Sequence, residues 1–287
     1  MTAALLLAFL LAAAPRPAVP GPPPPEPVVP LPSSAAAGGR TVDVVPGGLV
    51  RWPGEGLLRC GDARETWAPV GGACLYPVDL GQGEGTLGIF RESPGGTETA
   101  TLRVLPPPYA EESLEVDPRK VRLSAKDRAR VKRERAQVAP LFSLRTHPVF
   151  ALPFAPPLEE APAARNFGTR RTFNGEPRNA HGGADFRART GTPVHAAEEG
   201  IVVLAARHFF AGKSVYVDHG GGLLTMYMHL SRIDVKTGQR VARGDLLGLS
   251  GATGRVTGPH LHFGVRWRGA RVDPSLLLAD PAKLPSP

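Results

Sequence analysis

The stretch that decides the fold is residues 214–230, SVYVDHGGGLLTMYMHL. Two runs of β-branched, aromatic and long apolar residues flank a glycine-rich turn, which is typical of two short strands. Side chains alternate between the two faces of a strand, so Thr225, Tyr227 and His229 are predicted to share one face. The opposite face is predicted to pack into a core and holds Leu224, Met226, Met228 and Leu230. This pattern predicts a sheet that carries a histidine on one side.

The same organisation extends over most of the chain, which is predicted to be mainly β. Between Asn166 and Arg271 short alternating runs are separated by glycine, without a long segment of helical period, so a nearly all antiparallel β domain is predicted over residues 160–279. A small all-β module is predicted over residues 40–105. The intervening residues 106–159 are predicted to be a Pro-rich linker with a short helix, and residues 280–287 a tail. Within the linker, Ser124 and Asp127 form a capping-box start for a helix ending near Val138.

The amino-terminal residues predict export. An uninterrupted apolar run covers residues 3–14, which is shorter than the roughly 20 residues of a bilayer-spanning helix. We therefore expect a signal peptide over residues 1–19, a Pro-rich linker over residues 20–39, and no stable membrane insertion after cleavage. The expected location is the periplasm, cell envelope or exterior. An uncleaved anchor and a mis-assigned start codon are the alternatives.

Cysteine usage and net charge narrow the function class. The two cysteines, Cys60 and Cys74, are expected to form a disulfide in an exported chain, and two buried thiols are the alternative. The formal net charge of +8 indicates a polyanionic neighbour. Because helix-turn-helix and zinc-finger patterns are missing from the sequence, an anionic polymer of the cell envelope is expected and nucleic acid is not.

Three segments of the carboxy-terminal domain carry four of the eight histidines. They are His181-Gly-Gly-Ala-Asp185, the strand end at His229, and His260-Leu-His262. Three protein ligands with one open position are typical of a catalytic zinc. Two of these histidines and Asp185 can therefore serve as the ligands, and the other two histidines remain for acid–base catalysis. Residue spacing leaves open which histidine has which role. Glycines 182 and 183 are expected to let the chain curl, because both side chains at the ends of that segment must reach one ion.

These segments, together with five further motifs, resemble the lysostaphin-type, or LytM-type, zinc endopeptidase family. The resemblance covers about residues 160–275. The five motifs are Asn166-Phe-Gly-Thr-Arg, Gly191-Thr-Pro-Val-His-Ala, Asp218-His-Gly, Gly238-Gln-Arg-Val and Gly251-Ala-Thr-Gly, and the third histidine segment is preceded by Gly258-Pro259. The resemblance implies a β-sheet groove with one Zn²⁺ per chain, held by His181, Asp185 and His262. It implies that His229 and His260 polarise water and stabilise the transition state.

The resemblance also implies the activity. Members of this family hydrolyse peptide bonds in peptidoglycan stems or crosslinks, so a zinc metalloendopeptidase that acts on peptidoglycan is expected. The alternatives are a catalytically silent activator of another wall hydrolase and a wall-binding protein. Tyr227 is a candidate for orienting substrate or water, and simple packing is its alternative. A regulatory protein partner is compatible with this function, and the module at 40–105 is expected either to bind wall polymer or to block the site.

Overall fold

The structure is a computed structural model that describes residues 39–160 and 166–287. The predicted signal peptide, and all but the last residue of the predicted Pro-rich linker, lie outside the described residues. In the ranges that the structure does describe, no helix is both long enough and apolar enough to cross a membrane.

The amino-terminal module consists of seven strands. They are β1 (Arg40–Val44), β2 (Leu49–Pro53), β3 (Arg59–Asp62), β4 (Thr66–Trp67), β5 (Ala73–Pro77), β6 (Gly85–Ser93) and β7 (Gly96–Val104). Five of them form a sheet in the order β1-β7-β6-β3-β4, in which β1 runs parallel to β7, while β2 pairs with β5. Their inward residues form one core that includes Val50, Trp52, Tyr76 and Leu102. The module is therefore all β, as its alternating pattern predicted.

The predicted disulfide is present. Cys60 on β3 is bonded to Cys74 on β5, and both residues are fully buried in the core of the module. The bond joins the five-stranded sheet to the two-stranded one, so it holds together two elements that share no backbone ladder.

Replacing Cys60 and Cys74 together by alanine should lower the free energy of unfolding of the full chain by about 3 kcal/mol. The reason is that the bond closes a loop with a sequence separation of 14, and loops of that length gain roughly this much. Chemical denaturation of the oxidised protein and the double variant measures the difference. An unchanged midpoint would show that packing of the module alone sets its stability.

The connector, residues 106–159, contains regular secondary structure and contributes to the core of the domain that follows it. It contains a strand, β8 (Glu111–Leu114), and a helix, α1 (Ala125–Val138), whose Ser124 cap accepts a hydrogen bond from the Asp127 backbone N–H as predicted. Farther along, Phe150, Phe154 and Leu158 are buried in the core of the carboxy-terminal domain. The Phe150 ring lies edge-on to Trp267, with ring centroids 5.5 Å apart. Part of the segment predicted as a linker therefore stabilises the domain that follows it.

The carboxy-terminal domain is built on one large antiparallel sheet. Its strands are β9 (Arg170–Phe173), β10 (Glu176–Pro177), β11 (Gly183–Arg187), β12 (Pro193–His195), β13 (Gly200–His208), β14 (Gly212–Asp218), β15 (Leu223–Leu230), β16 (Arg232–Ile233), β17 (Arg240–Val241), β18 (Leu246–Leu249), β19 (His260–Trp267) and β20 (Ala270–Val272), followed by a short helix, α2 (Ser275–Leu278). The large sheet has the order β11-β19-β15-β14-β13-β17, and β20 pairs with β19. Its strands bring all three histidine segments together at β11, β15 and β19. The mainly β class with an antiparallel carboxy-terminal domain is confirmed.

Charged side chains fix the module against the back of this domain. Glu65 binds the guanidinium groups of Arg145 and Arg268, each through two hydrogen bonds of 2.6 to 3.1 Å. Asp79 binds Arg271 in the same bidentate manner, and this pairing with the arginine outweighs burial and lowers the pKa of Asp79 to about 2. Because each of these carboxylates is paired with arginine, the charges at the interface are compensated where they are removed from water.

A buried histidine in this domain makes stability depend on pH. His219 is fully buried, its Nδ1 lies 2.6 Å from the Glu199 carbonyl oxygen and its Nε2 lies 2.8 Å from the Thr225 hydroxyl. Burial lowers the pKa of His219 to about 4. The unfolded chain, where the pKa is about 6.5, therefore binds more protons between these values.

The expected result is a loss of up to about 3 kcal/mol of folding free energy from this residue as pH falls from about 6.5 to about 4. Because the folded pKa is depressed, the contribution is fully present above the unfolded pKa. Denaturation across this pH range should show that the free energy of unfolding depends less steeply on pH in His219→Gln than in the parent. The exposed His147→Gln is the control. Identical slopes for parent and His219→Gln would contradict this account.

Candidate metal centre and groove

The three predicted ligands converge on one point. His262 Nδ1 lies 2.9 Å from His181 Nε2 and 2.9 Å from Asp185 Oδ1, and His181 Nε2 lies 3.2 Å from that oxygen. Ligand atoms bound tetrahedrally to zinc at about 2.0 to 2.1 Å are separated by about 3.3 Å. The donor set and its spacing therefore fit one zinc ion. In the part of the chain that the structure describes, these three residues form the metal-binding cluster.

The register of the sheet explains this convergence. Asp185 on β11 pairs directly with His262 on β19, so their side chains leave the same face of the sheet side by side. His181 precedes β11 and is held by hydrogen bonds of its backbone to Thr169 and Gly168. Its Nδ1 donates to the Asn166 carbonyl oxygen at 2.9 Å, which leaves the Nε2 lone pair for a metal.

Asp185 is oriented by two residues outside the ligand set. Asn166 Nδ2 donates to Asp185 Oδ2 at 2.8 Å, and Arg171 Nη2 lies 3.2 Å from the same oxygen. Burial raises the pKa of Asp185, but hydrogen bonds from His181 and His262 outweigh it and hold the pKa well below its usual range. The carboxylate is therefore charged, with Oδ1 turned to the metal position. Such outer partners orient a ligand and set its tautomer or charge.

Gly183 is required by close packing. A Cβ at Gly183 would lie 2.6 Å from His262 Nε2 and 2.6 Å from the Phe263 carbonyl oxygen. Neither Gly182 nor Gly183 has a positive φ, and Gly183 belongs to the regular strand β11. The expectation that these glycines provide a curl was therefore wrong. At Gly183 a missing side chain makes room for the zinc-binding ring opposite.

His229 reaches the groove through a break in β15. Lys213 opposes Leu230 and Val215 opposes Tyr227, so the residues of β15 outnumber those of β14 at this point and form a bulge. His229 has a φ of 66°, which is rare for a residue with a side chain and is found mostly at functional sites. The bulge turns His229 toward His260, with ring centroids 4.8 Å apart.

Within the described residues, His229 and His260 each form a hydrogen bond through Nδ1 and none through Nε2. His229 Nδ1 donates to the Thr253 carbonyl oxygen and His260 Nδ1 to the Gly258 carbonyl oxygen, each at 2.9 Å. A carbonyl only accepts, so in the neutral rings the lone pair is on Nε2. Burial, reinforced by His262 and His260, lowers the pKa of His229 to about 3. His229 is thus a neutral ring, and His260 Nε2 lies 3.7 Å from Asp185 Oδ1.

Tyr227 does not face this site. It is fully buried in the main core, its hydroxyl accepts a hydrogen bond from the Ala197 backbone N–H at 2.8 Å, and its ring packs on Phe263. The predicted common face of Tyr227 and His229 was therefore wrong, because the bulge reverses the alternation between them. Met228 packs against Leu224 and Met226 as predicted and also lines the groove, whereas Leu230, predicted on that face, lies in the same core as Tyr227. The structure places Tyr227 in a packing role.

The five histidine and aspartate side chains line one groove of about 480 Å³. Its remaining wall comes from β8 and β9, which pair in parallel, and from the loop before β19. Residues 40–105 contribute nothing to this wall as the structure describes it. The other four histidines lie outside the groove: His195 contacts the Gly244 carbonyl, His208 contacts Gln137, His219 is in the core and His147 is exposed.

Comparison with known proteins identifies the carboxy-terminal domain. The family model of Peptidase family M23 matches residues 179–274, which include all five site residues. The chain carries a peptidase family M23 domain. The predicted resemblance to zinc endopeptidases of the lysostaphin type is thereby confirmed, and the His-Asp-His cluster is the zinc site expected of an M23 metallopeptidase.

Individual relatives of the M23 domain agree. This chain is 49% identical to the peptidoglycan DD-endopeptidase ShyA of Vibrio cholerae over 109 residues, which are 38% of this chain and 25% of the relative. The chain is also 40% identical to the DD-carboxypeptidase/endopeptidase Mpg of Neisseria gonorrhoeae over 94 residues, which are 33% of this chain and 22% of the relative. The chain thus spans about a quarter of the length of these curated relatives.

A solved structure resembles more of the chain than the M23 domain alone. A Pseudomonas aeruginosa protein classed as a peptidase M23 has a TM-score of 0.63 and 29% sequence identity, covering 82% of this chain and 94% of its own. The likeness therefore includes residues outside the range that the family model matches.

Sequence reasoning did not identify three residues that shape this site. Asn166 and Arg171 hold Asp185, and Arg255 lines the groove. Asn166 was noticed as part of a motif, but its role depends on a contact across 19 positions of sequence. The signal that could have identified Asn166 is its position as a polar residue at the start of a motif that precedes a ligand segment.

Proposed function

We propose that this protein is an exported zinc metalloendopeptidase that hydrolyses peptide bonds in peptidoglycan stems or crosslinks. The observation that carries the proposal is the arrangement of the five side chains. Three converge as ligands within 2.9 to 3.2 Å of each other, while His229 and His260 face the same groove with free ring nitrogens.

The chemistry follows from these groups. Zinc at such a site supplies Lewis-acid polarisation and lowers the pKa of a bound water to about 7. His229, neutral and fixed by Thr253, presents Nε2 as an acceptor for a proton at the groove. His260, fixed by Gly258, presents Nε2 at 3.7 Å from Asp185 Oδ1 and, when protonated, donates a hydrogen bond to a developing oxyanion. Arg171 and Asn166 keep Asp185 aligned through hydrogen bonds to its Oδ2.

The substrate class is supported by relatives and by charge. ShyA is named a peptidoglycan DD-endopeptidase and Mpg a DD-carboxypeptidase/endopeptidase. The formal net charge of +8 favours attraction to an anionic wall. We therefore propose cleavage of bonds of the DD type, in the cell envelope or outside the cell, with peptidoglycan as the partner.

The alternative is a catalytically silent activator of another wall hydrolase. An activator needs neither a complete ligand set nor the two further histidines, and here all five side chains are present and oriented. The strained backbone at His229 also supports catalysis, because strain of this kind is retained where function requires it. The zinc peptidase is therefore the function that the geometry favours.

Mass spectrometry of muropeptides tests the function and names the bond. Purified peptidoglycan is incubated with the mature chain, with the His260→Ala variant and with a chelator-treated sample. New crosslink-cleaved products are expected with the parent alone. Intact peptidoglycan in every sample, from protein that holds its zinc, would contradict peptidoglycan as the substrate, and intact peptidoglycan from protein that binds no zinc would favour the activator.

A further inference from the structure

The groove contains an arginine for which the described residues provide no anionic partner. Arg255 lies in the loop before β19, and its guanidinium carbon sits 4.3 Å from the centroid of the Phe210 ring and 4.7 Å from that of Phe173. Its backbone N–H bonds the Phe210 carbonyl oxygen at 2.9 Å. Among residues 39–160 and 166–287, no hydrogen bond or ion pair is found for its side chain. The rings fix the plane of the guanidinium while its N–H edge stays available.

The carboxylates in this region are already engaged. Glu112 binds Arg171 at 3.0 Å, Glu176 binds Arg178 and Arg122, and Asp185 belongs to the metal site. Burial, and then the charges of Arg178, Arg171 and Arg135, lower the pKa of Arg255 to about 10, so it stays charged at neutral pH. This end of the groove therefore has an excess of positive charge.

We propose that Arg255 binds a carboxylate of the peptide substrate and makes the enzyme specific for peptides that carry this group beside the scissile bond. A planar guanidinium held between two rings is prepared for two parallel hydrogen bonds to a carboxylate, and a lysine is not. Arg255 and the zinc ligands line the same groove, so one bound peptide contacts both. The proposal rests on the proposed function and deepens it, because it separates acidic stem peptides from amidated peptides and glycine bridges.

A matched pair of substrates tests it. Two crosslinked stem peptides of one sequence are made, with either a free carboxylate or a carboxamide on the residue next to the scissile bond. The parent should prefer the carboxylate by about 10- to 100-fold in kcat/KM, the range of a charge-assisted hydrogen bond. Arg255→Gln should bring this ratio close to unity by raising KM for the carboxylate peptide alone. Arg255→Lys should give an intermediate ratio.

The control is Arg240→Gln, because Arg240 is an exposed arginine on β17 that does not line the groove. It should leave the ratio unchanged. Equal use of the two peptides by the parent would overturn the proposal, and so would an equal loss on both peptides in Arg255→Gln, which would assign the residue to packing.

Other outcomes remain informative. If Arg255→Gln fails to fold, the ratio of the parent and that of Arg255→Lys decide the question. If the parent cleaves neither peptide, the proposed function fails separately, and calorimetric Kd values for the same pair still test the arginine. A carboxylate preference in Kd would support its role, and equal Kd values would overturn it.

Discussion

Replacing His262 by alanine is expected to remove zinc and to abolish hydrolysis of peptidoglycan. The variant loses the Nδ1 that lies 2.9 Å from both of the other donor atoms. Only two ligands, His181 and Asp185, then remain. Removing even an outer partner of a ligand costs roughly 10- to 100-fold in metal affinity, so losing a ligand should cost at least about 100-fold.

The measurement is zinc content after dialysis together with the release of muropeptides. His195→Ala is the matched control, since His195 lies on β12 of the same domain and bonds the Gly244 carbonyl outside the site. It should keep both zinc and activity. Stoichiometric zinc in His262→Ala would show that the metal is held by a different set of residues.

Replacing His229 should have the second largest effect and a different signature. His229 is not a ligand, so the variant should retain zinc while the hydrolysis rate falls by about 10²- to 10⁴-fold, the usual contribution of a general acid or base. Asparagine is the suitable replacement because it tolerates the positive φ of this position better than most residues.

His229→Gly serves as the backbone control, since glycine adopts this φ without strain. Both variants should fold, bind zinc and be slow. If His229→Asn were slow and His229→Gly were fast, the backbone of the bulge rather than the imidazole would be responsible. If both retained the parent rate, His229 would have no part in proton transfer.

Much of this site could be predicted from its sequence because the ligands lie on short strands with distinct patterns. His260 and His262 share a face of β19 while Leu261 and Phe263 pack into the core, as strand periodicity requires. The same reasoning failed on β15. A single residue with a positive φ, His229, reverses the alternation. A histidine does not indicate a positive φ in a sequence, whereas a glycine would.

Other features were missed because they depend on contacts distant in sequence. The Pro-rich connector lacks periodicity, yet Phe150 and Phe154 enter the core of the M23 domain. Glu111–Leu114 pairs with a strand almost 60 residues later, a partner that local patterns do not specify. Gly183 was attributed to chain curvature, although the ring of His262 opposite is the reason for it.

Titration of zinc into chelated protein tests the central claim most directly. The protein is stripped of metal, zinc is added in steps, and the rate of crosslink cleavage is followed at each step. The account predicts a rate of zero without metal, a linear rise, and a break at one equivalent of zinc per chain. Hydrolysis by the fully stripped protein, or a break at two equivalents, would contradict a single zinc held by His181, Asp185 and His262.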